Sequence, residues 1–258
     1  MMGLAQSLLD ASPQYVSAYF LVFLRVGAAM AVAPAFGERM MPQRIRLVIS
    51  LAFTAIVAPA IVPKLLPLID GAGRVVVLAG TEIVAGLAIG ISLRLFIIAL
   101  QTAGAIAAQS TSLSQILGGA AVDPQPAIGH ILVVAGLAIA VTAGLHVQIA
   151  RFLIYSYEVL PAAGGVAGMD LAMWGTGRVA QAFQLAFAIA APFVIASMIY
   201  NIALGAINRA MPQLLVSFVG APAITFGGMA LLFLAGPIML SKWLELLHRF
   251  INDPFGGG

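Results

Sequence analysis

The chain has 258 residues, of which 62% are hydrophobic and only 8% are charged. Because soluble domains carry about 25% charged residues, this composition excludes a soluble globular protein and predicts an integral membrane protein. The chain has no cysteine, which excludes disulfides and thiolate metal sites. Its 12 Lys and Arg against 9 Asp and Glu are too scattered for a nucleic-acid surface.

The hydropathy pattern predicts an all-α polytopic membrane protein of about six apolar helical segments, forming a single domain over residues 1–258. A membrane span requires roughly 20 consecutive apolar residues. The third segment is too long for one crossing, so we expect it to tilt, to project beyond the hydrocarbon or to break. The predicted segments are Tyr15–Phe36, Ile45–Val62, Arg74–Gln109, Ala127–Ala150, Val179–Ile207 and Gln213–Leu240.

The last part of the chain, residues 241–255, has apolar and charged residues on opposite sides of a helix. This amphipathic pattern predicts a short interfacial helix rather than a seventh span. The apolar side consists of Trp243, Leu246, Leu247 and Phe250, and the polar side of Lys242, Glu245 and Arg249.

Basic residues in the short loops do not decide the orientation of the segments. The loops after the first, third and fifth segments hold Arg39, Arg44, Arg46 and Arg209; the other loops and the C-terminus hold Lys64, Arg74, Arg151, Arg178, Lys242 and Arg249. We therefore expect partner proteins to set the topology, or the segments not to cross as a simple serpentine.

Small residues recur at four-residue spacing, which lets helix backbones approach closely. The spacing predicts helix contacts, either within one bundle or with other chains. The three series are Gly86 and Gly90; Gly136, Ala140 and Gly144; and Ala182, Ala186 and Ala190.

Four polar side chains lie inside apolar segments: Arg25, Glu82, Arg94 and Gln101. An ionisable group at membrane depth costs about 3 kcal/mol or more and usually faces a partner or a wet cavity. On a continuous helix Glu82 and Arg94 are about 18 Å apart, so we expect Arg25 to pair with Glu82. The pair would be a structural ion pair, or would line a pore or couple to protons.

The sequence gives little support for a catalytic site or a cofactor-binding site. His130 and His146 flank the fourth segment without an accompanying cluster of ligands, which argues against a metal site. Residues 175–180 match a dinucleotide-binding pattern, but no strand precedes them and no acidic residue occurs between Leu171 and Leu244. We predict no enzyme activity and no cofactor.

Uncharged polar residues and glycines follow the third segment. Such a stretch is typical of a water-lined loop enclosed by protein, or of an ordinary exposed loop. The residues are Gln109, Ser110, Thr111, Ser112, Leu113, Ser114, Gln115, Ile116, Leu117, Gly118 and Gly119, with Asp123-Pro124 after them.

The order of these features resembles the FliR family of flagellar biosynthesis proteins, which is related to an export-apparatus subunit of type III secretion systems. The most specific piece is Asn208-Arg209-Ala210-Met211-Pro212-Gln213 followed by Gly220 and Pro222; Leu214 and Leu145 depart from the family pattern. The other matching residues are Arg25, Pro34, Phe36-Gly37, Pro42, Arg46, Pro59, residues 82–90, Asp123-Pro124, Gly144, His146, Ser156 and Pro161.

The resemblance implies a subunit of the export gate in the bacterial inner membrane, at the flagellar basal body. In that family the subunit consists of kinked, hairpin-like helices, assembles with FliP and FliQ, and associates with FlhB. Together these proteins form a helical closed pore for unfolded flagellar proteins. It makes Gln109–Gly119 a candidate pore plug, and Arg209, Pro212, Gln213 and Asp123 candidate assembly residues.

A transporter and an intramembrane enzyme are two alternatives to an export-gate subunit. A solute or ion transporter could use the buried Arg and Glu as a coupling site, but inverted-repeat transporters show two similar halves, and the halves of this chain are not visibly alike. An intramembrane enzyme needs a nucleophile, carboxylate or metal constellation, which the sequence lacks.

Overall fold

A computed structural model of the protein describes residues 2–37, 41–111, 127–162, 164, 168–211 and 216–254. Over these ranges the chain forms helices and no strand, so the predicted all-α class is confirmed. A 3-10 turn at Leu66–Leu68 follows the second helix. The helices are α1 (Met2–Val32), α2 (Gln43–Leu65), α3 (Ala72–Thr111), α4 (Ala127–Thr142), α5 (Leu145–Val159), α6 (Gly168–Ala210) and α7 (Val216–Asn252).

Five of the described helices, α1, α2, α3, α6 and α7, are long and apolar enough to cross a membrane. Helices α4 and α5 form a bent pair that makes a sixth span if the two are counted together, which agrees with the predicted number. Helix α3 is one unbroken helix of 40 residues, about 60 Å long at 1.5 Å per residue. It is twice the hydrocarbon thickness of about 30 Å, so it must tilt or project.

The fourth predicted segment, Ala127–Ala150, is wrong as a continuous helix, because the chain breaks between α4 and α5. Gly144 adopts φ 84° and ψ 31° in the left-handed region, where a Cβ atom is unfavourable. Its carbonyl accepts hydrogen bonds from the amides of Val147 (3.0 Å) and Gln148 (3.2 Å), which start α5. The predicted small-residue series therefore ends at Ala140, since Gly144 lies outside α4.

The helix predicted at 241–255 is not separate, because α7 continues without a break to Asn252; its location at the membrane interface stays a prediction. The side chain of Glu245 accepts from Lys242 Nζ (2.8 Å) and Arg249 Nη2 (3.2 Å), which stabilises successive turns of the same helix. Trp243 and Phe250 are buried by protein, whereas Leu246 on the same side is exposed.

The chain divides into two compact units. The first comprises residues 1–95, 141–178 and 250–258, and its core lies where α1 packs against α2 and α3. A Cβ on Gly86 would lie 2.9 Å from Ala28 Cβ, and one on Gly90 would lie 2.5 Å from the carbonyl oxygen of Ala29. The Gly86 and Gly90 spacing thus makes an intrachain helix contact between α3 and α1.

The second unit comprises residues 96–140 and 179–249. Within it α3 and α4 approach closely: a Cβ on Gly129 would lie 3.5 Å from the Cα of Gly104. Trp243 on α7 is 1% exposed, and its indole nitrogen donates to the carbonyl oxygen of Phe96 at 2.9 Å. This bond satisfies the one polar group of the largest side chain in the unit's core.

Candidate functional site

A buried ion pair lies in the first unit, between α1 and α3. Arg25 is 1% exposed and Glu82 is fully buried. The guanidinium makes a two-point contact with the carboxylate, from Nε to Oε2 at 2.6 Å and from Nη2 to Oε1 at 3.0 Å. Such a bidentate geometry is the strongest form of a charged hydrogen bond. The pairing expected from the sequence is confirmed.

Helix α5 and the residue after it complete the surroundings of the pair. Arg25 Nη1 donates to Ser156 Oγ at 3.2 Å, and Nη2 also donates to the carbonyl oxygen of Leu160 at 2.8 Å. The Tyr157 hydroxyl donates to Glu82 Oε2 at 2.8 Å, and the Arg25 guanidinium carbon lies 3.6 Å from the centre of the Tyr157 ring. Both buried charges are therefore neutralised and hydrogen-bonded, as burial requires.

Local sequence explains why these groups meet. Glu82, Gly86 and Gly90 follow one another at four-residue spacing, so they share one face of α3. Because the two glycines lack side chains, α3 comes close enough to α1 for the Glu82 carboxylate to reach Arg25. Leu160 caps the C-terminus of α5, where helix carbonyls lack intrahelical partners, and its oxygen accepts from Arg25 instead.

A second polar contact ties the turn after α5 to α3. Thr81 Oγ1 lies 3.1 Å from the carbonyl oxygen of Ala162 and 2.8 Å from that of Leu78. One hydroxyl hydrogen is shared between these two acceptors. Together with the bond from Arg25 to Leu160, this contact holds the Leu160–Ala162 turn at the side of α3.

The other predicted polar residues lie elsewhere on α3 and α6 or outside the described residues. Arg94 is half-buried and Gln101 is exposed, both on α3. Arg209 is exposed in the last turn of α6. Pro212, Gln213 and Asp123 lie outside the described residues.

The predicted plug loop is partly helical. Gln109, Ser110 and Thr111 form the end of α3, so a loop beginning at Gln109 is wrong at its first residues. Ser110 Oγ donates to the carbonyl oxygen of Ala107 at 2.7 Å, which satisfies the hydroxyl within the helix. Ser112–Gly119 lie outside the described residues.

His130 and His146 are both exposed. Among the residues that the structure describes, no three His, Asp or Glu side chains group closely enough to hold a metal ion.

The sequence did not point to Tyr157 as a partner of the pair, nor to the carbonyl of Leu160. A signal for Tyr157 is present: Ser156 and Tyr157 lie next to each other on the buried side of α5. Polar groups on an apolar buried face need partners, and the pair provides them.

A model of the family described as bacterial export proteins, family 1, matches residues 16–250. The chain belongs to this family. Arg25, Glu82, Ser156 and Tyr157 all lie within the matched region.

Individual relatives are similar over nearly their whole length. The flagellar biosynthetic protein FliR of Caulobacter vibrioides is 33% identical over 243 residues, covering 92% of this chain and 95% of that protein. FliR of Escherichia coli is 26% identical over 243 residues, covering 92% and 91%. FliR of Bacillus subtilis is 26% identical over 221 residues, covering 84% and 83%.

Proposed function

We propose that the chain is a subunit of the flagellar type III protein export gate in the bacterial inner membrane, at the flagellar basal body. It helps to form the closed pore through which unfolded flagellar proteins are exported. The observation that carries the proposal is the family match over residues 16–250, together with a flagellar relative that is aligned over 92% of this chain and 95% of its own length.

The burial of the long helices supports assembly with other chains. In the apolar stretches of α6 and α7 only 28% and 22% of the residues are buried by the protein itself, against 50% in α3. Phe226 and Phe233 on α7 are 72% and 81% exposed. The proposed partners are FliP and FliQ, with FlhB associated, and the exported flagellar proteins pass through the pore that they form.

The Arg25–Glu82 network supports a structural role rather than the coupling site of a transporter. A coupling site must exchange partners as protons or solute bind, so one of its polar groups needs an open position. Here both carboxylate oxygens of Glu82 accept hydrogen bonds, and all three guanidinium nitrogens of Arg25 donate. The network instead fixes α1, α3 and α5 to one another.

The pore plug at Gln109–Gly119 belongs to the same proposal. It rests on the polar, glycine-containing composition of this stretch and on the family resemblance.

Co-expression with the neighbouring export genes, followed by purification through a tag on this chain, tests the proposal. We expect one stable multi-chain particle, and poor behaviour of the chain expressed alone. A chain that purifies as a well-behaved monomer and transports a small solute into liposomes would contradict the proposal and favour the transporter.

A further inference from the structure

The turn that follows α1 contains an alanine in an unusual backbone conformation. Helix α1 ends at Val32, and Pro34, two residues later, has no amide hydrogen with which to continue the helix. Ala35 then adopts φ 66°, in the left-handed region. Residues 33–37 lie in the first unit, and we name them the Ala35 turn.

Glycine occupies the comparable positions elsewhere in the described part of the chain. Gly71 and Gly144 have φ 88° and 84°, and glycine enters this region without steric cost. For alanine the left-handed region is disfavoured by about 5- to 30-fold, which corresponds to about 1–2 kcal/mol. Because burial of one methyl group offsets only part of this cost, the turn carries strain at Ala35.

The surroundings of Ala35 hold the strained conformation. The Gly37 amide donates to the carbonyl oxygen of Ala33 at 2.7 Å. A Cβ on Gly37 would lie 2.7 Å from a carbonyl oxygen near the end of α1, so the chain folds back tightly on this helix. The Phe36 ring meets the Phe53 ring of α2 edge to face, with 5.6 Å between their centroids. These contacts keep the turn closed.

Strain of this kind is typical of segments that change conformation during function. We propose that the Ala35 turn is a conformational switch: it opens while the gate exports a protein, and Ala35 then moves to the extended region, which alanine adopts without strain. Opening breaks the bond from Gly37 to Ala33 and separates Phe36 from Phe53. The relief of strain compensates part of this loss, so the open state stays accessible. The inference rests on the proposed function, because export is the activity that the opening serves.

Two substitutions at position 35 test the switch, because each relieves the strain in a different way. Ala35→Gly removes the Cβ atom. Ala35→Asn introduces a side chain that tolerates the left-handed region, without the added backbone freedom of glycine. Both should stabilise the closed turn. Gly80→Ala is the matched control, because it should stabilise α3 through its higher helix propensity at an exposed position with open space around it.

Hydrogen–deuterium exchange of the Gly37 amide, measured by mass spectrometry on the co-expressed complex, reports how often the turn opens. The amount of flagellar protein secreted into the culture medium reports export. We expect Ala35→Gly and Ala35→Asn to slow the exchange at least threefold and to lower export at least threefold, whereas Gly80→Ala should leave both at wild-type levels.

Four results would overturn the switch. Unchanged exchange in both variants would show that Ala35 is not strained, and slower exchange with wild-type export would leave the turn a purely structural role. A loss of export in Ala35→Gly alone would point to backbone freedom as the cause, and an equal loss in Gly80→Ala would point to stability in general. Failure of the wild-type chain to form the complex would count against the proposed function instead.

Discussion

Replacing Glu82 with leucine removes the carboxylate that faces Arg25 and leaves the guanidinium buried. Two hydrogen bonds between the ions and one from Tyr157 are lost. Hydrogen bonds to charged groups contribute about 1.5–3 kcal/mol each, and removing one member of a buried ion pair costs about 3–5 kcal/mol. We therefore expect Glu82→Leu to lower the free energy of unfolding by about 3–5 kcal/mol, a large part of the stability of an ordinary domain.

The double variant Arg25→Met with Glu82→Leu removes both charges together. It leaves Ser156 and the carbonyl of Leu160 without their donor from Arg25, and the Tyr157 hydroxyl without its acceptor, but no buried charge remains, so we expect a cost of about 1–3 kcal/mol. The double variant should thus be more stable than Glu82→Leu alone, which is the signature of a coupled pair.

The assay heats membranes containing the tagged chain, extracts the soluble fraction in detergent and follows the remaining protein by immunoblot; motility in soft agar reports export. A loss of about 4 kcal/mol should lower the midpoint by about 10 °C. A Glu82→Leu variant as stable as the wild type would show that the Arg25–Glu82 pair does not stabilise the fold. So would a double variant that has wild-type stability but no export, since the pair would then have a chemical rather than a structural role.

Four further changes test individual residues and the Gln109–Gly119 stretch. Gly86→Val should destabilise the chain by about 3 kcal/mol or more, because the valine Cβ would collide with α1. The control Gly80→Val, at a position with open space around it, should change the midpoint of thermal unfolding little. Equal effects of the two substitutions would contradict the close approach of α3 and α1. Tyr157→Phe should cost about 1–3 kcal/mol through the lost bond to Glu82, measured by the same heating assay; no change in midpoint would argue against that bond. Gly144→Ala should cost about 1–2 kcal/mol because of its positive φ, and a stabilised variant would show that the chain there is a regular helix. Shortening the Gln109–Gly119 stretch should make cells leak small ions through the gate, measured as dissipation of the membrane potential; an unchanged potential would remove the plug role.

A close helix contact on this face of α3 could be predicted from the spacing of Gly86 and Gly90, but the spacing left open whether the partner was in this chain, and only the structure identifies it as α1. The partner of Arg25 could be read by elimination, since Arg94 is too far from Glu82 along the helix. Ser156, Tyr157 and Leu160 could not be assigned in this way. They lie 131 to 135 residues from Arg25 along the chain, and a local pattern does not say which distant helix covers a buried charge.

The sequence alone determined the membrane class, the helical fold, the approximate number of spans and the family, because these depend on composition and on the order of residues along the chain. Tertiary structure alone decided that the fourth segment breaks at Gly144 and that α7 continues past Ser241. Glycine fits a helix as well as a turn, and an amphipathic stripe fits a lipid surface as well as a protein core. The choice between helix and turn, and between lipid and protein contact, depends on which helices pack against these residues in the folded protein.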